Sequence, residues 1–502
     1  MNKSRTQNTK RIFSSGILNQ LLNTVFPFIN RTVIIYSLGS EFAGLSGLFS
    51  SILQVLSLAD FGFSMVIVAY LYEPIARNDR DAINRILAWI RKIYYIVGCA
   101  ILSIGALSTP FLTHFIHGSY PDSINIYVLF LIYLFNSGIS YFLFAYKEVL
   151  LIADQRKDII SNIHSVVKVC VNALQFLVLI VFKNYYLYAL LLIFGTIISN
   201  LLVNRVVKKR YPYLNISSGK AVITADVKKE LIGLMINRLS NVSRNAFDSL
   251  IISSTLGLVA AAIYGSYYMI YNAVMGFTAI ISGSMQASVG NSIVVKSEKE
   301  NFGNLLDFSL LYSWITGWCS VTMACLYQPF MKLWVGEELM LSNTDMLLFA
   351  AYFYFINMNH MRNQYILGNA FWWKLKWAYL AEAIGNLVLN IILGKLFGIT
   401  GVLIATILTI FFCNYLMCNK VLFREYFKDL SIGLFYKQQF YYLFVVAFAG
   451  LCVYLICQNI ESIILRGIIC IVVPNLMFAL LFRPCSRWKS SMEIVRRFLK
   501  IK

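Results

Sequence analysis

The sequence predicts an all-α, polytopic membrane protein: about 14 transmembrane helices, in two parallel six-helix repeats followed by two extra C-terminal helices. Composition, the alternation of loop charge and an internal repeat carry that prediction. Of 502 residues, 59% are apolar, 15% aromatic and only 13% charged, and the mean hydropathy is +0.69. Water-soluble domains carry roughly a quarter charged residues, so most of this chain's surface has to face lipid.

The apolar segments, each expected to form a crossing of about 20 residues, run in order over 12–38, 42–72, 93–111, 124–151, 159–182, 186–206 and 231–256. Seven more follow at 258–289, 308–326, 347–367, 377–396, 399–416, 440–456 and 463–482. Segment 1 follows a basic start (Lys3, Arg5, Lys10, Arg11). It is longer than a signal peptide's apolar core and lacks a small-residue cleavage site, so it is expected to stay as the first helix. The longest break, the basic and polar stretch 207–230, separates an N-terminal lobe (1–206) from a C-terminal lobe (231–420). The last two segments and a basic tail occupy 421–502.

Loop charge tests the segment order, because cytoplasmic connections collect Lys and Arg. The N-terminus, the C-terminal tail and every second connection carry from two to seven cations each. The intervening connections hold only Lys183, Lys332 and Lys395. Both termini are therefore expected in the cytoplasm. The net charge of +20 belongs to these loops and not to a nucleic-acid surface. The ten cysteines fall mostly inside apolar segments without a C-x-x-C pair, and read as packing residues.

Residues 18–56 laid on 236–274, an offset of 218, match at nine of 39 positions, among them Asn19/Asn237, Asn23/Asn241, Gly39/Gly257 and Gly47/Gly265. Segments 1 and 2 thus correspond to segments 7 and 8, and two parallel halves follow.

Charge inside the membrane costs about 2.5 to 3.5 kcal/mol per residue on insertion scales and tends to mark function. Segment 7 carries the stripe Asn237, Asn241, Arg244, Asn245 and Asp248, with Arg238 beside it. Segment 1 carries Asn19, Asn23, Asn30 and Arg31, with Pro27 where segment 7 has Asn245. Segment 5 offers Ser161, His164, Ser165, Lys168, Asn172 and Gln175, and segment 10 offers Asn357, His360, Arg362 and Asn363. These groups admit two readings, glue between helices or the lining of a water-filled cavity. Five interior cations (Arg31, Lys168, Arg238, Arg244, Arg362) face three clear interior anions (Asp60, Asp248, Glu382), so mutual neutralisation falls short. A basic cavity is the preferred expectation, and guanidinium groups suit phosphate oxygens. The three carboxylates are candidates for ion coupling or pairing. Tyr264, Tyr267, Tyr268 and Tyr271 in segment 8 are expected to pack more than to stack on a ligand.

No catalytic or metal-binding motif emerges: Gly219-Lys220 lacks the upstream glycine of a P-loop, and the four histidines show no metal spacing. The external loops near 112–123 and 328–345 are too short to hold a polymerase or glycosyltransferase centre. Neither an enzyme nor a cofactor is expected.

Ser57-Leu-Ala-Asp-Phe-Gly-Phe-Ser64, Tyr264-Gly-Ser-Tyr-Tyr268, Gln286-Ala-Ser-Val-Gly-Asn291 and Leu151-Ile-Ala-Asp-Gln-Arg156 give the chain a family resemblance along nearly its whole length. It resembles the polysaccharide-unit (O-antigen, Wzx-type) flippases of the multidrug/oligosaccharidyl-lipid/polysaccharide (MOP) exporter superfamily. The resemblance implies a MATE-like two-lobed fold working by alternating access in the bacterial inner membrane. It implies transfer of undecaprenyl-diphosphate-linked glycan units to the periplasmic face, in lipopolysaccharide or related synthesis. The polymerase and glycosyltransferases of that pathway are its candidate partners, together with membrane lipids. Two rivals remain: a cation-coupled multidrug exporter of the same superfamily, which would favour carboxylates in its cavity, and a non-transporting scaffold for glycosyltransferases.

Overall fold

The computed structural model describes the backbone of residues 5–60, 63–118, 120–215 and 225–499, and side chains from residue 21 on except 23, 59–67, 69, 119, 216–228, 230, 231, 287 and 497–502. The described residues form helices joined by turns, with no strand among them. They fall into two compact units, 1–262 and 263–502.

The first unit contains α1 (Arg5–Leu38), α2 (Ser40–Leu56), α3 (Phe63–Ala76), α4 (Arg80–Ser108), α5 (Ile126–Phe142), α6 (Glu148–Ala153), α7 (Lys157–Val181), α8 (Tyr185–Arg210), α9 (Ala225–Val242) and α10 (Asp248–Leu256). Short polar residues start these helices by accepting from otherwise orphaned amides: Asp79 caps α4, Asn125 caps α5 and Asn184 caps α8. One apolar core joins Phe42, Leu45 and Phe49 of α2 to Leu129 and Phe130 of α5. A second joins Leu87 and Ile90 of α4, Leu150 and Leu151 of α6, and Val203 and Val207 of α8. The resemblance segment at 151–156 ties this second core down. Asp154 accepts from Arg210 Nη2 at 3.1 Å and from the Tyr211 hydroxyl at 2.6 Å. Burial and the neighbouring Asp154 carboxylate raise the Tyr211 phenol above its ordinary range.

In the second unit, α11 (Leu258–Val295), whose first turn belongs to the first unit, is followed by α12 (Glu298–Val335), α13 (Asn343–Asn357), α14 (His360–Gly368), α15 (Lys376–Thr409) and α16 (Cys418–Glu425). Then come α17 (Ile432–Gln458), α18 (Ile463–Leu481) and α19 (Trp488–Leu499). Ser297 and Glu300 form a capping box at the start of α12. Gly398, at φ +61° and ψ −135°, turns α15 back on itself, and a Cβ at Gly401 would collide with the Leu393 carbonyl across that turn.

Among the described residues, every one of the fourteen apolar segments lies mainly on helical backbone, but several are interrupted. Segment 2 is split by a 3₁₀ turn at Ser57–Asp60, segment 4 bends by 48° between α5 and α6, and segment 10 breaks between α13 and α14. Among the described residues, seven helices are by length and composition able to cross a bilayer, or eight with the bent pair, so fourteen crossings remain an expectation. Leu107, Phe111, Val181, Phe444, Ile464 and Leu480 are exposed apolar residues on or beside these helices, a surface suited to lipid.

Candidate functional site

In the first unit α1 packs along α7, and this contact places the segment 1 polar stripe against that of segment 5. Asn30, 5% exposed, donates through Nδ2 to Asn172 Oδ1 at 2.5 Å and to Gln175 Oε1 at 3.1 Å. Gln175 in turn donates to the Tyr188 carbonyl at 3.1 Å, and Asn172 to the Lys168 carbonyl at 2.6 Å. Buried amides that answer one another lock the two helices in register. Arg31 follows on the next position of α1. It donates through Nη2 to the Ala262 carbonyl at 2.6 Å and lies beside the phenols of Tyr185 and Tyr188. Tyr185 shares a 3.0 Å hydrogen bond with Tyr133. Arg31 and Lys168 are both half-buried.

The segment 7 stripe folds into a π-helical turn, Ser243–Phe247, between α9 and α10. Such turns widen the helix by one residue and recur at functional sites. Asn241 donates to Asn237 Oδ1 at 3.2 Å and accepts from Arg244 Nη2 at 2.5 Å. Arg244 and Asp248 are buried, whereas Arg238 is half-buried. The backbone of α9 packs against the 3₁₀ turn that ends at Asp60, and the Asp60 side chain lies outside the described residues. So do the side chains of Asn19 and Asn23.

Arg362 and Glu382 belong to the second unit and make a network of their own. Both are 1% exposed. Arg362 donates to the Asn414 carbonyl at 2.6 Å and to Asn414 Oδ1 at 2.8 Å, and Asn414 Nδ2 donates to Glu382 Oε2 at 2.8 Å. One amide thus relays between a buried cation and a buried anion. It sits in another π-helical turn, Ile410–Met417. Elsewhere in segment 10, Asn357 accepts from Thr278 at 3.1 Å and Tyr312 at 2.9 Å, and His360 Nδ1 stands 3.2 Å from the Ser282 hydroxyl. Tyr264, Tyr267 and Tyr271 are buried, and Tyr271 stacks on Tyr352 at 4.7 Å, as packing residues do.

Three polar residues outside the predicted set emerge. Asn414 is a single amide inside an apolar run, the kind of residue that marks an interhelical contact. Lys147, buried, donates to Asn204 Oδ1 at 2.6 Å, and Glu148 pairs with His164 at 3.0 Å. Lys147 and Glu148 are adjacent charges inside segment 4, and that adjacency is the signal they leave in the sequence.

A family model described as polysaccharide biosynthesis protein matches residues 9–285. Among solved structures, the lipid II flippase MurJ in an inward closed conformation superposes with a TM-score of 0.63 at 15% identity, over 94% of this chain and 99% of that one. A multidrug resistance MATE family transporter of the MOP superfamily, inward-facing, gives a TM-score of 0.62 at 13% identity, over 82% of this chain and 96% of that one. A MOP superfamily transporter from Pyrococcus furiosus, described as having a binding pocket of reverse polarity, gives 0.57 at 10% identity, over 83% and 96%. The fold is therefore MATE- and MurJ-like. No curated protein matches the chain.

Proposed function

Because the chain belongs to the polysaccharide biosynthesis protein family, we propose that it is a flippase for undecaprenyl-diphosphate-linked oligosaccharide units, of O-antigen or a related polysaccharide. It works by alternating access, from the cytoplasmic to the periplasmic face of the bacterial inner membrane, with both termini cytoplasmic. The observation that carries this reading is the accessible basic character of the first unit. Arg31, Lys168 and Arg238 keep part of their surface open on helices expected to span the membrane. These three cations attract the diphosphate. The polyprenyl tail stays in lipid, because only the head group is too polar to cross unaided. Arg244 and Arg362, both buried, contribute by shaping the helices or by emerging during the cycle. Asp60, Asp248 and Glu382 are the candidate coupling carboxylates.

The test is complementation of a flippase-deletion strain by R31A, K168A and R238A beside R31K, K168R and R238K, at matched expression. Loss of a charge-assisted contact predicts at least about tenfold less surface glycan in the alanine variants, with lipid-linked units accumulating and partial rescue by the charge-retaining ones. Normal export from every alanine variant would remove the cationic site. The second reading, a cation-coupled exporter of small molecules, draws on the MATE-like fold and the buried carboxylates. It predicts that deletion raises drug susceptibility while the wild-type gene restores no glycan in any matched host.

A further inference from the structure

The cysteines, expected as packing residues, do not all scatter. Cys325 of α12, Cys457 of α17 and Cys470 of α18 converge where these three helices pack together, with all three Sγ atoms within 4.8 Å of one another. Their exposures are 2%, 1% and 0%, and none is in a disulfide. We propose that this triad is a binding site for a thiophilic d10 metal ion, with Zn(II) as the ion that best matches its charge.

The geometry is the first argument. A metal–sulfur bond of about 2.3 Å in trigonal or tetrahedral coordination places the sulfurs about 4 Å apart, and the triad already holds its three sulfurs within 4.8 Å of one another. The ligand type is the second, because thiolates select soft and borderline ions over Mg²⁺ or Ca²⁺. The third is access. A cavity of about 230 Å³ reaches Cys325 and Cys457 and is lined also by Gln328, Asn343, Met346 and Arg466, so an ion and its waters have a route in. Met346 brings a thioether to that cavity as a further soft donor.

The fourth argument is charge balance. Binding releases three thiol protons as three metal–sulfur bonds form, so three thiolates around a divalent ion leave one negative charge. Arg466 stands within electrostatic reach of Cys457 and Cys470 and offsets that charge, its Nε held by the Ile460 carbonyl at 2.5 Å. A membrane interior penalises any net charge left over. The site lies wholly in the second unit and is independent of the transport reading.

The experiment uses the full chain, purified in detergent under reductant and stripped of metal, then titrated with Zn(II), Cd(II) and Cu(I) against a competing chelator. One equivalent per chain is expected, with Cd(II) giving thiolate-to-metal charge-transfer absorption. Metal should protect Cys325, Cys457 and Cys470 together from alkylation, a readout on the wild-type chain that needs no variant. C457S and C470S should bind at least about tenfold more weakly, and R466Q should weaken binding while three thiols stay protected. C319S, on the same helix but outside the triad, should bind as wild type. Absence of a retained equivalent at micromolar metal would overturn the proposal. So would unchanged binding by the triple serine variant, or two of the three cysteines joined in a disulfide in chain isolated without reductant.

Discussion

The two copies of the internal repeat solve one backbone problem in the same way and its side-chain problem differently. In the first copy α1 ends at Gly39, at φ +109° and ψ +161°; in the second α10 ends at Gly257, at φ +90° and ψ +178°. Both glycines occupy a conformation closed to side chains with a Cβ, and both let one helix follow the last with no loop between. Upstream, the regular hydrogen-bond ladder is disturbed at equivalent positions: by Pro27 inside α1, and by the π-helical turn holding Asn245 in the second copy. The disturbance of the ladder is thus kept while its chemical cause is exchanged. Three residues on, the copies part. Asn30 turns to neutral amides on α7, whereas its counterpart Asp248 is a buried carboxylate on a helix that also carries Arg244. The two copies keep the glycine turn and differ in their polar content.

The largest effect that would sharpen this contrast is at Asp248. It has no exposed surface and is engaged by its neighbours, so Asp248→Ala should cost about 3–5 kcal/mol, as removal of a buried ionisable group from its partners does. The measurement is the thermal unfolding midpoint in detergent, and a drop no larger than that of Asn30→Ala would erase the distinction between the copies. Next comes Asn30→Asp, an attempt to convert the first copy into the second. It removes the Nδ2 donor and faces a carboxylate with two acceptor oxygens, so about 1–3 kcal/mol should be lost. Rescue by Asn172→Lys would confirm that charge, not volume, is at fault.

Of the two glycines, Gly257 should rank beside Asn30 and Gly39 below it. Gly257→Ala adds strain at positive φ and brings a Cβ to 2.9 Å from the His117 carbonyl, whereas Gly39 has open space around it. About 3 kcal/mol against about 1 is expected, and equal shifts in midpoint would show that backbone strain alone matters. The smallest effect on stability belongs to Pro27→Ala, less than about 1 kcal/mol, since α1 already runs as helix through this position. If glycan export nonetheless falls at an unchanged midpoint, the proline serves motion and not folding.

Much of this was legible in the sequence because a bilayer imposes one-dimensional rules. Length, apolarity and loop charge are properties of consecutive residues, and the described residues of all fourteen segments lie mainly on helix. The repeat was legible because Gly39 and Gly257 meet a local backbone need that no neighbour can meet for them. The polar stripes were also visible, and Asn30, Asn172 and Gln175 come from two of them. Their pairing was not visible, since 142 residues separate Asn30 from Asn172 and periodicity says which face a residue takes, never which helix it meets. For the same reason the role of Asn414 as relay between Arg362 and Glu382, and the meeting of Cys325, Cys457 and Cys470, belong to tertiary structure alone. The sequence by itself determined a helical membrane protein, its segment order and its duplicated hinge. Only the packed chain decided which cations stay accessible and which are buried, because burial is a property of neighbours brought together by folding.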